Sequence, residues 1–358
     1  MSGTRDVVRE AEVVVCTGSG GVGKTTVAAV LAMEGARLGR KTAVVTIDPA
    51  KRLADALGLE GLTNEPRRIE GDWPGELHAL MLDTKSTFDA LVTKYAETED
   101  QAQRILDNRF YKNISSALSA TQEFMAMEKL YELHVESDFD LVVVDTPPTR
   151  NALDFLDAPA TLTRFLDHPL YKVVMAPTRG VLRVASVAAQ TFLRTVAKVV
   201  GSEVIDDAIA FFQAFQGMEE GFRNRAGHVK ALLSESATRF VLVASPRRDT
   251  LAEAVFFADA LAEADLEISA LIVNRMHPRF GEGLGEAARE RATTLAGTAL
   301  GDHYANLADF QLIAGREEDH LADLVGRVGD AAVVRVPFLR SDVHDLAGLD
   351  ELARYVVV

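Results

Sequence analysis

The sequence predicts an α/β fold: a mostly parallel sheet covered by helices, with an inserted helical subdomain. Short runs rich in valine and isoleucine recur between longer helix-like segments. Continuous apolar runs of this kind belong to strands buried on both faces, as in parallel sheets. Two stretches, 84–137 and 150–236, interrupt that alternation with almost no strand signal and read as helices. On this reading residues 1–83, 138–149 and 237–358 form the α/β core, and 84–137 with 150–236 form the helical subdomain.

Taken in order, the strand candidates are "EVVVC" (12–16), "TAVVTID" (42–48), "LHALMLD" (77–83), "FDLVVVD" (139–145), "RFVLVAS" (239–245), "LEISALIVN" (266–274) and "AAVVRVPF" (331–338). Between the first two, Val27, Val30, Leu31 and Leu38 fall at helical spacing and Gly39 stands where a C-cap glycine belongs. Gly18 to Thr25 reads Gly-Ser-Gly-Gly-Val-Gly-Lys-Thr, the complete form of a phosphate-binding P-loop. Glycines there let backbone N–H groups close around phosphate oxygens at the positive end of the following helix. Lys24 would reach the β- and γ-phosphates, and Thr25 would offer its hydroxyl to Mg²⁺. The strand, loop and helix context is what the motif requires, so the chain is expected to be a P-loop NTPase that takes a nucleoside triphosphate and Mg²⁺.

Other acidic residues extend this site. Asp145 ends an apolar strand, as a Walker B carboxylate does and as many turn residues do; the loop upstream favours the Mg²⁺ role. Asp48 ends the second strand and opens "DPAKRLADALG". It reads either as a turn or helix cap before Pro49, or as a carboxylate that orients or deprotonates the water attacking a γ-phosphate and adjoins the metal. In the second helical stretch Phe211, Phe215, Met218 and Phe222 share one helical face, which is either core or a groove for an apolar client.

At 358 residues and 48% hydrophobic, the chain has ordinary globular composition. Its formal charge of −15 works against a general grip on nucleic acid or an anionic membrane. The single cysteine, Cys16, lies in an apolar run, which excludes an internal disulfide framework. Neither a secretion signal nor a membrane-spanning run is visible, so a soluble cytoplasmic protein without stable membrane insertion is expected.

In order and separation, "GSGGVGKTT", "DPAKRLADALG" and "DTPPTRNALDFL" resemble the P-loop, switch I and switch II of the arsenite-pump and tail-anchored-protein-targeting ATPase family. "LIVNRMHP" resembles that family's adenine-reading segment, and "VPFLRSDVHDLAGLDELA" its C-terminal loop and helix over the base. The resemblance implies a parallel sheet with inserted helical segments and two subunits that sandwich two ATP molecules. It assigns Gly20, Gly21, Val22, Gly23, Lys24, Thr25 and Thr26 to phosphates and Mg²⁺, and Asp48 and Asp145 to water orientation and metal binding. It assigns Asn274 to adenine, where a strand-end turn former is the alternative, and Pro337 with Phe338 to the loop lining the base. It also implies a helical surface for an apolar helix or membrane-protein client.

The sequence departs from that family at Ser19, where the family's signature lysine reaches across the dimer. A neutral hydroxyl cannot supply a trans-acting charge, an effect worth about 10³–10⁵ in rate. Three expectations follow: a heterodimer with a related subunit carrying the lysine, a local cation among Arg150, Lys51 and Arg52, or a nucleotide switch with very slow hydrolysis. One cysteine also leaves no metalloid site of the family's thiolate type and no cluster-binding set. The competing class is a positioning ATPase of the septum-site or chromosome-partitioning type, which would want a basic membrane or DNA surface.

Overall fold

Valine-rich segments that bury both faces build one eight-stranded sheet in the order β3-β4-β2-β5-β1-β6-β7-β8. The computed structural model describes residues 3–48, 50–114, 122–147, 202–214, 217–234, 236–281, 283 and 285–358. The strands are β1 (Val13–Gly18), β2 (Lys41–Thr46), β3 (Arg67–Ile69), β4 (Glu76–Met81), β5 (Leu141–Asp145), β6 (Thr238–Ala244), β7 (Ile268–Met276) and β8 (Ala332–Pro337). Every pairing is parallel except β3 on β4, at the sheet edge.

Each apolar run read from the sequence is a strand, and β1 and β5 are buried at every position. That is the burial expected of central strands covered by helices on both sides. The short edge strand β3, with two exposed arginines in "RRI", gave no periodic signal. A helix α1 (Thr4–Glu10) before β1 was also not anticipated. Helix α2 (Lys24–Arg37) follows β1 with Val27, Val30 and Leu31 fully buried, and Gly39 after it has φ 85°, the left-handed turn that ends a helix.

The chain divides into two compact units, Met1–Met81 with Ser137–Leu153 and Ser234–Val358, and Leu82–Glu136 with Asp154–Leu233. The first contains the sheet. The described part of the second is helical, with helices Thr84–Tyr95, Glu99–Asp107, Arg109–Ile114, Gln122–Tyr131, Ser202–Ala214 and Glu219–Ser234 and a π-helical turn at Glu132–Glu136.

A buried guanidinium joins several of those helices. Arg225 donates to the Tyr95 hydroxyl at 2.9 Å and to Glu136 at 2.8 Å, and its Nε lies 2.5 Å from Glu128 Oε2. It also lies over the Tyr131 ring, 4.1 Å from the centroid. Burial pushes the Glu128 carboxyl up to about 7, against the pull of Arg225. Elsewhere in this unit Phe211 is buried and stacks on Tyr111, with centroids 6.0 Å apart. The single helical face read from the sequence is broken, because one helix ends at Ala214 and the next begins at Glu219 after Gly217 turns the chain at φ 94°; Phe211 and Met218 are both buried as core, and Phe215 and the Phe222 side chain lie outside the described residues.

Removing the cation leaves Glu128 buried and uncompensated, a loss typically worth about 3–5 kcal/mol. Arg225→Ala is expected to destabilise the chain by that order in urea unfolding, whereas Arg316→Ala, at an exposed position of the sheet unit, is expected to stay within about 1 kcal/mol of the parent.

Candidate functional site

The site is built where β1 ends. Gly18 has φ 146°, and a Cβ there would lie 2.1 Å from the Val243 carbonyl oxygen of β6, so only glycine fits as the chain leaves the sheet. Five residues later Gly23, at φ 98°, precedes α2, and a Cβ there would meet Asn274 Nδ2 at 2.4 Å. Between them Gly20 and Gly21 are exposed and Val22 is buried. The first turn of α2 thus directs its free N–H groups at the loop, an arrangement suited to phosphate.

Lys24, at the first position of α2, folds back so that Nζ donates to the Ser19 carbonyl at 2.8 Å. Burial lowers its pKa, and the charges of Asp145 and Asp48 oppose that shift. Thr25 donates its hydroxyl to Asp145 Oδ2 at 2.8 Å, and Thr46, from the end of β2, donates to the same oxygen at 2.8 Å. Sheet register explains the meeting, because Asp145 pairs with Cys16 on one side and with Thr46 on the other. Thr26 is half-buried in the same turn of α2.

Asp145 is only 1% exposed, and its second oxygen, Oδ1, has no hydrogen-bond partner among the described residues. The Thr17 and Ser19 hydroxyls are likewise buried and unpartnered, so orphaned polar atoms gather at this end of β1 and β5. An orphaned buried carboxylate oxygen beside a threonine hydroxyl fits a hard divalent cation with its water shell, so these residues suit Mg²⁺. Burial pushes the Asp145 carboxyl up to about 6, opposed by the bonds from Thr25 and Thr46 and by the charge of Lys24.

Asp48 lies nearby on the same sheet edge. Its backbone N–H donates to Thr46 Oγ1 at 3.3 Å; Oδ1 accepts from Ala50 N at 2.9 Å, and Oδ2 from Arg52 at 3.2 Å. The turn reading of Asp48 therefore describes its contacts, and one of the local cations named from the sequence, Arg52, sits on it. Lys51 is exposed. Arg150 lies outside the described residues.

The ends of β7 and β8 complete the edge. Asn274 donates its amide to the Val22 carbonyl at 2.9 Å, so its side chain grips the loop. Phe338 N–H donates to the Met276 carbonyl at 2.9 Å, just after Pro337 pairs with Met276. The Phe338 ring is 53% exposed and meets His277 edge-on at 5.4 Å. His277 in turn contacts Glu317 at 2.6 Å.

Sequence reasoning missed Thr46 and Arg275. The signal for Thr46 was available, since a hydroxyl two residues before Asp48 at a strand end must stand beside whatever the neighbouring strand brings there. Cys16, on β1 beside Asp145, is fully buried, and burial with the Asp145 charge pushes its thiol far up, away from the thiolate that metals take.

A family model described as anion-transporting ATPase matches residues 11–290. The chain is 31% identical over 183 residues to a Halobacterium salinarum protein named as an arsenical pump-driving ATPase, covering 48% of this chain and 28% of that protein. It is 29% identical over 153 residues to the ATPase GET3 of Malassezia globosa, covering 43% of this chain and 44% of that one. An Aquifex aeolicus protein named as an arsenical pump-driving ATPase is 20% identical over 352 residues, covering 96% and 78%. The first two of these alignments span less than half of the relative's own length.

The buried carboxylate yields a prediction with a definite sign. The folded-state pKa of Asp145 lies above its unfolded value of 3.8, so its contribution to stability is fully present below that value and is lost as pH rises through about 6. Asp145→Asn is therefore expected to stabilise the nucleotide-free chain by about 1–3 kcal/mol at pH 8. Urea melts at stepped pH should show that advantage shrinking toward pH 4.

Proposed function

The chain belongs to the anion-transporting ATPase family, and from that premise we propose that it is a Mg-dependent ATPase whose nucleotide cycle drives closure of a dimer and reshaping of the helical unit. The observation that carries the proposal is the buried Asp145 carboxylate, which takes the Thr25 hydroxyl on one oxygen and leaves the other free beside the P-loop.

In this reading Gly20, Gly21, Val22, Gly23, Lys24, Thr25 and Thr26 hold the phosphates of ATP, and Thr25, Asp145 and Asp48 hold the metal. Mg²⁺, when bound, would offset phosphate charge during transfer. Lys24 would exchange its contact with Ser19 for phosphate oxygens; burial lowers its pKa, and the two neighbouring aspartates oppose that. Asp48 would orient the attacking water and accept its proton, with Arg52 holding the carboxylate in place. Asn274 and the Pro337–Phe338 segment, which share the sheet edge with the loop, would contact the base.

The proposal includes a partner subunit, either a second copy or a related chain that carries the lysine absent here. The name of the Halobacterium relative, arsenical pump-driving ATPase, supports coupling of the nucleotide cycle to a partner that it drives. The deeply buried thiol of Cys16 supports coupling without a metalloid site. Among the described residues no helix is long and apolar enough to cross a membrane. The burial of Phe211 favours core over client groove at that position.

A second reading, a nucleotide switch with slow turnover, draws on Ser19. Its side chain is neutral and only 2% exposed, so it offers neither charge nor reach toward a partner's phosphates.

Steady-state ATP turnover with Lys24→Ala as the blank tests the proposal. Turnover is expected above the blank, and Asp48→Asn is expected to lower kcat about 10²–10⁴-fold with ATP affinity largely kept. ATP binding at the wild-type affinity by the blank would remove the P-loop from the account, and tight binding without turnover in the wild type would favour the switch.

A further inference from the structure

The phosphate loop from Gly18 to Thr26 contains one cation, Lys24. A nucleoside triphosphate brings several negative charges, so a loop with a single ammonium is lightly charged for that ligand. The structure brings a second cation from outside the loop. Arg275, near the end of β7, donates through Nη1 to the Gly21 carbonyl at 2.9 Å. Among the described residues, Lys24 and Arg275 are the cationic side chains that donate to carbonyls of this loop.

The backbone that aims Arg275 is unusual. Pairing of β7 with β8 shifts register between Val273 and Met276, so Asn274 and Arg275 occupy an irregularity in the ladder. Such bulges re-aim side chains, and they gather beside functional sites. Arg275 has φ 62°, a left-handed conformation that few residues other than glycine adopt. Its backbone N–H donates to Asn274 Oδ1 at 2.9 Å, which stabilises that turn. The result is a paired grip on successive carbonyls: Asn274 takes Val22 O and Arg275 takes Gly21 O. An arginine held in a conformation that suits glycine, with its guanidinium on the exposed tip of a phosphate loop, is explained by its side chain rather than by its backbone.

We propose that Arg275 is a positioning residue for the phosphate loop and its second cation: it clasps the loop tip at Gly21 and brings a positive charge to a loop whose only cation of its own is Lys24. The clasp concerns the chain without nucleotide; the charge role rests on the ATP reading above. With ATP bound, the guanidinium has further N–H groups beyond the one on Gly21, and its charge stands beside the loop tip.

Arg275→Gly removes the guanidinium while suiting the left-handed backbone, so the bulge is retained. Arg275→Lys keeps the charge. Amide hydrogen exchange across Ser19–Lys24 in the nucleotide-free chain is expected to quicken several-fold in Arg275→Gly. Titration with Mg-ATP is expected to show an affinity about tenfold weaker in Arg275→Gly and mostly restored in Arg275→Lys. Equal exchange in wild type and Arg275→Gly overturns the clasp whatever the affinities are. Equal loss of affinity in the glycine and lysine variants overturns the charge role. Faster exchange in a chain that binds no ATP even as wild type would uphold the clasp and bring down the ATPase reading instead.

Discussion

A single buried carboxylate organises this site. Asp145 stands at the end of β5, between β1 and β2 in the sheet, and accepts from Thr25 of α2 and Thr46 of β2 on one oxygen. A charge so deeply buried opposes folding unless it is compensated, and two neutral hydroxyls compensate it only in part. The raised proton affinity of the group records that shortfall. The fold therefore holds the group in a state that a divalent cation would relieve, which is a common relation between stability and function at binding sites.

From that carboxylate the other contacts follow by adjacency along the sheet edge. The Asp48 N–H donates to the Thr46 hydroxyl oxygen, which ties the second strand's end to the same centre. Lys24 lies close enough to both aspartates for their charges to support its own. On the far side, the ends of β7 and β8 are locked together through Met276 and Phe338, and the Asn274 amide reaches back to the loop. A crossover sheet brings residues far apart in the chain to one crevice at the carboxyl ends of its strands, and the P-loop occupies that crevice.

Much of this was legible in the sequence because the signals are local. Strands such as "LVVVD" read as continuous β-branched runs since they are buried on both faces, and the loop motif is defined by glycines whose backbone angles no other residue tolerates well. The edge strand β3 was not legible: three residues, two of them exposed arginines, carry no periodicity. Thr46 was missed although its strand-end position before Asp48 was visible, because its partner, Asp145, is given by the pairing of β2 with β5. Arg275 was missed for a stronger reason, since its aim depends on an irregularity between strands and a left-handed backbone that nothing in "LIVNRMHP" announces. The face at Phe211 shows the reverse case: the residues read as one helical face straddle the end of helix Ser202–Ala214 and the start of helix Glu219–Ser234, with Gly217 at φ 94° between them, and the stacking on Tyr111 places the Phe211 ring inside.

The central claim is that the free oxygen of Asp145, beside the Thr25 hydroxyl, is a metal position belonging to a nucleotide site. The most direct measurement is the equilibrium affinity for ATP with and without Mg²⁺, made on the wild type and on Thr25→Val. The account predicts that Mg²⁺ strengthens ATP binding by about tenfold or more in the wild type, a free energy of about 1.4 kcal/mol, and that this gain is largely lost in the variant. ATP affinity indifferent to Mg²⁺ in the wild type, or an equal Mg²⁺ gain in both chains, would contradict it.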